Sequence, residues 1–303
     1  MALVLIVGDS KDAQVERVAR QVRRRGGRAL ICDTRAFPEA AFLSLGDGEV
    51  VWRRGRLSEP SAVYLRGLGA SPLAPEFEQD LATRPRGLLA QCEEKAALLA
   101  SMVLTLQACG VPLVNTLEAN AQHRRKPYQL ELLRARGLPV PRYLCTNDPR
   151  AARRFVREVG QAVYKPVAGG ATVRKVEPED LAEERLSSLA TAPVLFQEYV
   201  PGVSVRAFVV GRRMVAAAEI RSSELDYRRD EHAVVSTRLT VGERAAAIAA
   251  ARACGMAFTG VDFIRHPRGF TVLECNPSPM FAVFEDKTGL DVAGPLAAFL
   301  VGK

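Results

Sequence analysis

With 303 residues, 48% of them hydrophobic and 25% charged, the chain can bury full cores and has length for two or three modest domains, which excludes disorder as its main theme. Its longest apolar runs, such as VLIV and AFVV, are strand-length against the ~20 residues that a membrane-spanning helix needs. The formal charge of +8 is carried in runs such as Arg23-Arg24-Arg25 that read as solvated helix faces or as an attraction for something acidic, such as a nucleotide, an acidic peptide or nucleic acid; the few aromatics (6%) do not interleave with them, so no single-strand stacking platform is expected.

The first elements alternate as a parallel sheet does. LVLIVG (Leu3 to Gly8) reads as a buried strand, Lys11 to Arg25 as a helix closed by Gly26-Gly27, and ALIC (Ala29 to Cys32) as the next strand. The turn after the first strand is GDSKDAQ rather than GxGxxG, so the close backbone approach that a dinucleotide pyrophosphate requires is not encoded. EVVWRRGRL and AVYLRGLG add strand-like pieces. A long helix from about Gly87 to Ala108 and the short strand PLVN close a first domain near Asn115. The opening MALVLIVGDS lacks a basic n-region and a small-residue cleavage site, and the six cysteines lie far apart with no CxxC pair. The expected setting is the reducing cytoplasm, without a disulfide framework or a zinc site.

From Thr116 a short helix leads to RRKP and a helix from Pro127 to Arg136, stopped by Gly137. Proline suits the first helical position, so Lys126 stands at a helix N-terminus, where a cation beside free N–H groups favours phosphate; a solvated surface lysine would look the same. Another helix opens at Asp148-Pro149 and closes at Gly160. AVYKPVAGGATVRKV (Ala162 to Val176) then gives a strand bearing Lys165, a small-residue loop Ala168 to Thr172, and a second strand. Lysine beside a glycine loop can hold phosphates, though an ordinary hairpin reads similarly. After a helix from about Pro178 to Leu189, VLFQEYVPG (Val194 to Gly202) is a strand whose end could offer backbone groups to a base edge, or be a plain sheet edge.

GVDFIRHPRGFTVLECNPSP (Gly260 to Pro279) carries the most. Two strands separated by HPRG form a hairpin with a three-residue turn ending at Gly269. Counting outward sets Asp262 against Glu274, give or take one residue if Gly269 makes a bulge. Glu274 and Asn276 are two apart and share the face of Asp262. Three oxygen donors without His or Cys fit magnesium that keeps waters and shares phosphates.

Taken in order, Lys126, YKP with its glycine loop, QEYV, SVRAFVVG, GVDF and ECNPSP resemble the ATP-grasp superfamily, and within it the RimK-like carboxylate–amine ligases. The resemblance spans roughly Thr116 to Leu300. It implies an α/β chain: a βαβ, Rossmann-like pre-ATP-grasp domain over 1–115, then a two-lobed ATP-grasp fold, α+β with antiparallel sheets. Its lid and phosphate-covering region would occupy 116–200, and its core with the metal site 201–303.

The resemblance also implies roles. Lys126 and Lys165 would contact ATP phosphates, with Gly169, Gly170, Ala171 and Thr172 as a mobile cover. Gln197, Glu198 and the backbone at Tyr199 and Val200 would hold adenine. Asp262, Glu274 and Asn276 would bind one or two magnesium ions, with manganese as a substitute. Arg206 matches an arginine that faces the reacting phosphate, and Asp226-Tyr227-Arg228 resembles a D-aromatic-R segment, which brings Arg228 to the reaction. Ser204 stands where those ligases often have an acid that can hold ribose, and RRDEHAVVS replaces an asparagine and double glycine.

The expected function is therefore an ATP-dependent ligase that forms an amide through an acylphosphate, adding an amino acid such as glutamate to a peptide or small acid. The alternatives are a maturase that makes ester or amide crosslinks in a ribosomal peptide, a small-molecule ligase, and an ATP-binding module without catalysis. Expected partners are a carboxylate and an amine substrate, a peptide or protein among them, with a homo-oligomer open and neither nucleic acid nor membrane.

Overall fold

The computed structural model describes residues 1–53, 55–57, 60–69, 71–169, 172–221 and 233–302, with only the backbone at residue 233. The chain divides into two compact units. The first comprises Met1–Leu117, Met280–Ala282 and Asp291–Lys303, the second Glu118–Pro279 and Val283–Leu290.

In the first unit, β1 (Leu3–Gly8), α1 (Ala13–Arg24) and β2 (Arg28–Asp33) form a parallel βαβ motif. Val4 to Val7 are all fully buried, because a central parallel strand is covered on both faces and so reads as an unbroken apolar run. Asp12 caps α1 by accepting from the Gln14 N–H at 2.8 Å, and Gly26 ends the helix region with φ 76°, a conformation that favours glycine. The expected strand EVVWRRGRL breaks at Arg53, which takes φ 58°. It yields β4 (Glu49–Trp52) and β5 (Gly55–Arg56), which with β3 (Leu43–Gly46) make a separate antiparallel sheet. β6 (Ala62–Leu65) returns to the parallel sheet, α2 (Glu78–Thr83) and the 24-residue α3 (Pro85–Ala108) follow, and β7 (Leu113–Val114) completes the order β2-β1-β6-β7.

The second unit begins within α4 (Leu117–Ala121) and continues through α5 (Lys126–Ala135), β8 (Tyr143–Thr146), α6 (Pro149–Val159), β9 (Ala162–Pro166) and β10 (Arg174–Lys175). The single helix expected over Pro178–Leu189 is instead a 3-10 turn, α7 (Glu183–Ser187) and a second 3-10 turn. Ala182 is extended with ψ 150°, and the Asp180 side chain accepts from the Glu177 N–H, so side-chain bonds displace helical ones. β11 (Val194–Glu198) completes an antiparallel sheet ordered β10-β9-β11-β8. Tyr164 and Phe196 turn one face of it onto Ala152, Phe155 and Val156 of α6. Lys165, Leu195 and Gln197 lie on the other.

β12 (Val203–Val210), β13 (Arg213–Arg221), β14 (Ala233–Ser236), β15 (Phe258–His266) and β16 (Gly269–Asn276) form a second antiparallel sheet, ordered β14-β13-β12-β15-β16. Val205, Ala207, Val209, Val261, Phe263, Val272 and Cys275 bury one face against α8 (Val241–Ala253) and Leu133 of α5. Truncating a residue such as Phe263, 1% exposed, to alanine would cost about 3–5 kcal/mol. α9 (Ala282–Thr288) packs Phe284 on Phe208 of the opposite face at 4.6 Å between ring centroids.

Two expected domain limits differ from the units. The boundary at 200 falls inside the second unit, which holds both antiparallel sheets, and residues 291–303 cluster with the first. The reason is α10 (Ala293–Leu300), whose Leu296, Ala297 and Leu300 are buried where it packs on α1.

Candidate functional site

The β15–β16 hairpin sets Asp262 opposite Glu274 and Gly260 opposite Asn276. The turn differs from the one expected. His266 pairs with Gly269, so only Pro267 and Arg268 form the loop, and the register shifts between Asp262 and Phe263. Leu273 is the extra residue of that bulge, which is why Val272 and Cys275, three apart, both face the core. Gly260 is closely approached: a Cβ there would stand 3.0 Å from Cβ of Pro279, tighter than an ordinary van der Waals contact.

On the Asp262 face, cations from three other elements converge. Arg206, in register with Asp262 on β12, grips it with two hydrogen bonds of 2.7 Å, Nε to Oδ1 and Nη2 to Oδ2. Lys126 reaches Glu274 Oε2 at 2.5 Å from the first turn of α5, and Lys165 stands 3.6 Å from the same oxygen. Lys126, Lys165 and Asp262 are each 8% exposed. Burial alone would raise the Glu274 carboxyl, but the charges of Lys165, Lys126 and Arg206 outweigh it and hold the group well below the usual carboxylate range. Burial also pushes the Lys165 ammonium below its ordinary value, against the pull of Glu274 and together with the repulsion of Lys126.

Gly169 lies against this cluster: a Cβ on it, φ 79°, would meet His123 Nε2 at 3.5 Å and Lys126 Cε at 3.6 Å. Thr172 is half-buried. Gln197 is 3% exposed, and its buried Nε2 has no hydrogen-bond partner among the described residues, a donor left open for an acceptor such as a base edge. The Glu198 carboxylate accepts weakly from the Arg142 N–H at 3.4 Å. The Tyr199 N–H donates to the Gln161 carbonyl at 2.9 Å, and Val200 is half-buried. Lys175 covers the Tyr199 ring at 4.7 Å. Gly170, Ala171 and Arg228 lie outside the described residues.

The donor set suits a hard cation. Asn276 Oδ1 accepts from the Ser278 N–H at 3.2 Å. Among the described residues no three His, Cys, Asp or Glu side chains gather as a metal cage. Two carboxylates and an amide are nevertheless what magnesium needs when waters and phosphate oxygens complete its shell. The three cations exceed the two carboxylates by one charge, and each ion pair could exchange partners, carboxylate for metal and ammonium for phosphate. The motifs in the sequence do not single out Gln129 or His123. Gln129 lies three residues after Lys126 on α5, a spacing that places it near Lys126 on one helical face, whereas His123 precedes the helix in the 3-10 turn Gln122–Arg124.

A model of the RimK-like ATP-grasp domain matches residues 123–300. The chain belongs to the RimK-like ATP-grasp family. It is 34% identical over 212 residues to a probable alpha-L-glutamate ligase of Teredinibacter turnerae, covering 66% of this chain and 70% of that one. A namesake from Shewanella loihica is 32% identical over 215 residues. The solved ATP-grasp ligase PsnB, complexed with a phosphomimetic variant of its minimal precursor, Mg and ADP, superposes with a TM-score of 0.91 at 37% identity, covering 99% of this chain and 97% of PsnB. The macrocyclase MdnC of Microcystis aeruginosa, bound with the precursor peptide MdnA, shares the fold at TM-score 0.84 and 24% identity. This RimK-like chain is an ATP-dependent ligase. Among its described residues no helix is long and apolar enough to cross a membrane.

Proposed function

We propose that the chain is a peptide-directed ligase that activates a carboxylate with ATP and joins it to an amine or hydroxyl of the peptide it modifies. The observation that carries this reading is the convergence of Lys126, Lys165 and Arg206 on Asp262 and Glu274, in a chain that matches a peptide-bound ligase over 99% of its length. Lys126 and Lys165 bind phosphate oxygens, the loop from Gly169 to Thr172 covers them, and Gln197, Glu198, Tyr199 and Val200 surround adenine. Asp262, Glu274 and Asn276 would hold one or two magnesium ions, or manganese, which supply neutralising charge to the phosphoryl group in transfer.

The substrate carboxylate oxygen attacks the γ-phosphorus, the bond to the bridging oxygen breaks, and ADP leaves. The resulting acylphosphate is attacked at its acyl carbon by the amine or hydroxyl, which loses its proton, and phosphate departs. Arg206, released from Asp262, and Arg228 would stabilise the developing oxyanion. Exclusion of water protects the acylphosphate, a task that suits the glycine loop.

A second reading, transfer of glutamate to a peptide or small acid, is favoured by the alpha-L-glutamate ligases, whose match covers 66% of the chain. Mass spectrometry of acidic peptides incubated with the protein, ATP, magnesium and glutamate separates the two. Loss of one water from the peptide supports internal joining, and gain of a glutamyl residue supports the second. ADP release that is unchanged by any peptide or amine would overturn both.

A further inference from the structure

Gln129 lies one helical turn beyond Lys126 on α5 and is buried, at 2% exposure. Its carboxamide makes two hydrogen bonds to a single residue of β16. Nε2 donates to the Cys275 carbonyl at 2.9 Å, and the Cys275 N–H donates to Oε1 at 2.8 Å. β16 is an edge strand, with β15 on one side only. In an antiparallel strand a residue's N–H and C=O point to the same side, and successive residues alternate. Cys275 therefore turns both groups to the open edge, while Glu274 and Asn276 turn theirs toward β15.

The Cys275 N–H belongs to the peptide plane shared with Glu274, and its carbonyl to the plane shared with Asn276. One side chain thus fixes the two planes on which both oxygen donors are carried. β15 holds this stretch from the other side, through the pairs Asp262–Glu274 and Gly260–Asn276 and the Thr259 hydroxyl on the Asn276 carbonyl, so Gln129 supplies the support at the open edge. The bulge at Leu273 interrupts the ladder just before, and Pro277, just after, has no N–H to contribute. Lys126 meanwhile bonds Glu274 at 2.5 Å. Helix α5 grips β16 at two points one turn apart, once by charge and once by a peptide-like amide pair.

We propose that Gln129 is a positioning residue for the metal: its carboxamide stands in for a neighbouring strand and keeps Glu274 and Asn276 aimed at one ion, in step with Lys126. The inference rests on the proposed magnesium site, since Gln129 reaches the ion only through the Cys275 backbone. Methionine at this position keeps the length and loses both bonds. Glutamate keeps an acceptor for the Cys275 N–H and sets a carboxylate against its carbonyl.

The test is a magnesium titration of mant-ADP binding by the full chain, followed by fluorescence, with melting measured alongside. Gln129→Met is expected to raise the half-saturating magnesium concentration about tenfold or more, the range for losing a hydrogen bond that supports a metal ligand. Binding of mant-ADP in EDTA should be unchanged, and Gln129→Glu should fall between wild type and Gln129→Met. Glu274→Gln is the control: if it leaves the magnesium midpoint unmoved, the metal reading itself fails. If Glu274→Gln raises the midpoint while both Gln129 variants stay within about twofold of wild type, the positioning role is overturned. A lowered melting temperature with an unmoved midpoint would also overturn it, as a merely structural contact. Should Gln129→Met not fold, Gln129→Glu makes the same comparison.

Discussion

On one face of the five-stranded sheet Arg265 gathers Glu219 and Glu243; on the other, Lys126, Lys165 and Arg206 surround Asp262 and Glu274. Arg265 donates to both Glu243 oxygens, at 2.7 and 3.1 Å, and to Glu219 at 2.7 Å, while the Thr240 N–H caps Glu243 at 2.8 Å. Arg265 there serves two carboxylates, with further donors from the cap of α8 at Glu243 and from the Thr237 hydroxyl at Glu219, and Arg221 stands 4.0 Å from Glu219. The opposite cluster has surplus cations from separate elements. A network that completes itself holds a fold together, whereas one with charge left over is prepared for an anion from outside.

The strongest way to break this contrast is Glu274→Ala, expected to reduce ADP release in the presence of an acceptor peptide by about three orders of magnitude or more, down to background. Persisting release would remove Glu274 from the reaction. Lys165→Met should lower kcat by about 10²–10³ as one phosphate donor is lost, with melting little changed because burial already opposes its charge. Arg265→Leu should do the reverse. Glu243, 2% exposed, loses its main partner, and with Arg265 itself over a quarter exposed the expected cost is about 2 kcal/mol, or about 4–8 °C in Tm, with the magnesium midpoint unmoved.

Acid sharpens the comparison further. Burial would raise Glu243, but the Arg265 hydrogen bonds and the Thr240 N–H hold its carboxyl below the ordinary 4.5. A depressed carboxyl contributes stability that is present above 4.5 and lost as pH falls below it through the folded-state value. Urea midpoints between pH 5 and 3 should therefore fall less steeply in Glu243→Gln than in wild type. The smallest effect belongs to Arg84→Ala: its pair with Asp80 is exposed, so Tm should stay within error.

The hairpin is legible in the sequence because carboxylates at alternate positions between core residues can only face one way. Its geometry is reached by a different route than spacing alone suggests. Where the spacing counts a three-residue turn, two residues turn and Leu273 bulges, and the two differences cancel at Asp262 and Glu274. A bulge is set by packing on both sides of a strand, so its place is not written in the turn. The break of the helix after Pro178 is written locally, in the spacing of Glu177 and Asp180, as is the cap Thr240-Val-Gly-Glu243 that starts α8. The bond from Gln129 to Cys275 joins residues 146 apart, and no local pattern announces a contact of that range. Arg53 at φ 58° likewise defies the apolar pattern around it.

The chain visits its first unit three times, in Met1–Leu117, Met280–Ala282 and Asp291–Lys303. A truncated chain ending after Leu290 would keep every candidate ligand for metal and phosphate, yet would strip α10 from α1, the helix that carries the fully buried Val18 and Val22. One beginning at Glu118 would carry Ala282 without Gln14, whose side chain accepts its N–H at 2.8 Å. Neither half can be cloned as a continuous piece, and an insertion in one unit must be judged by the seams it leaves in the other.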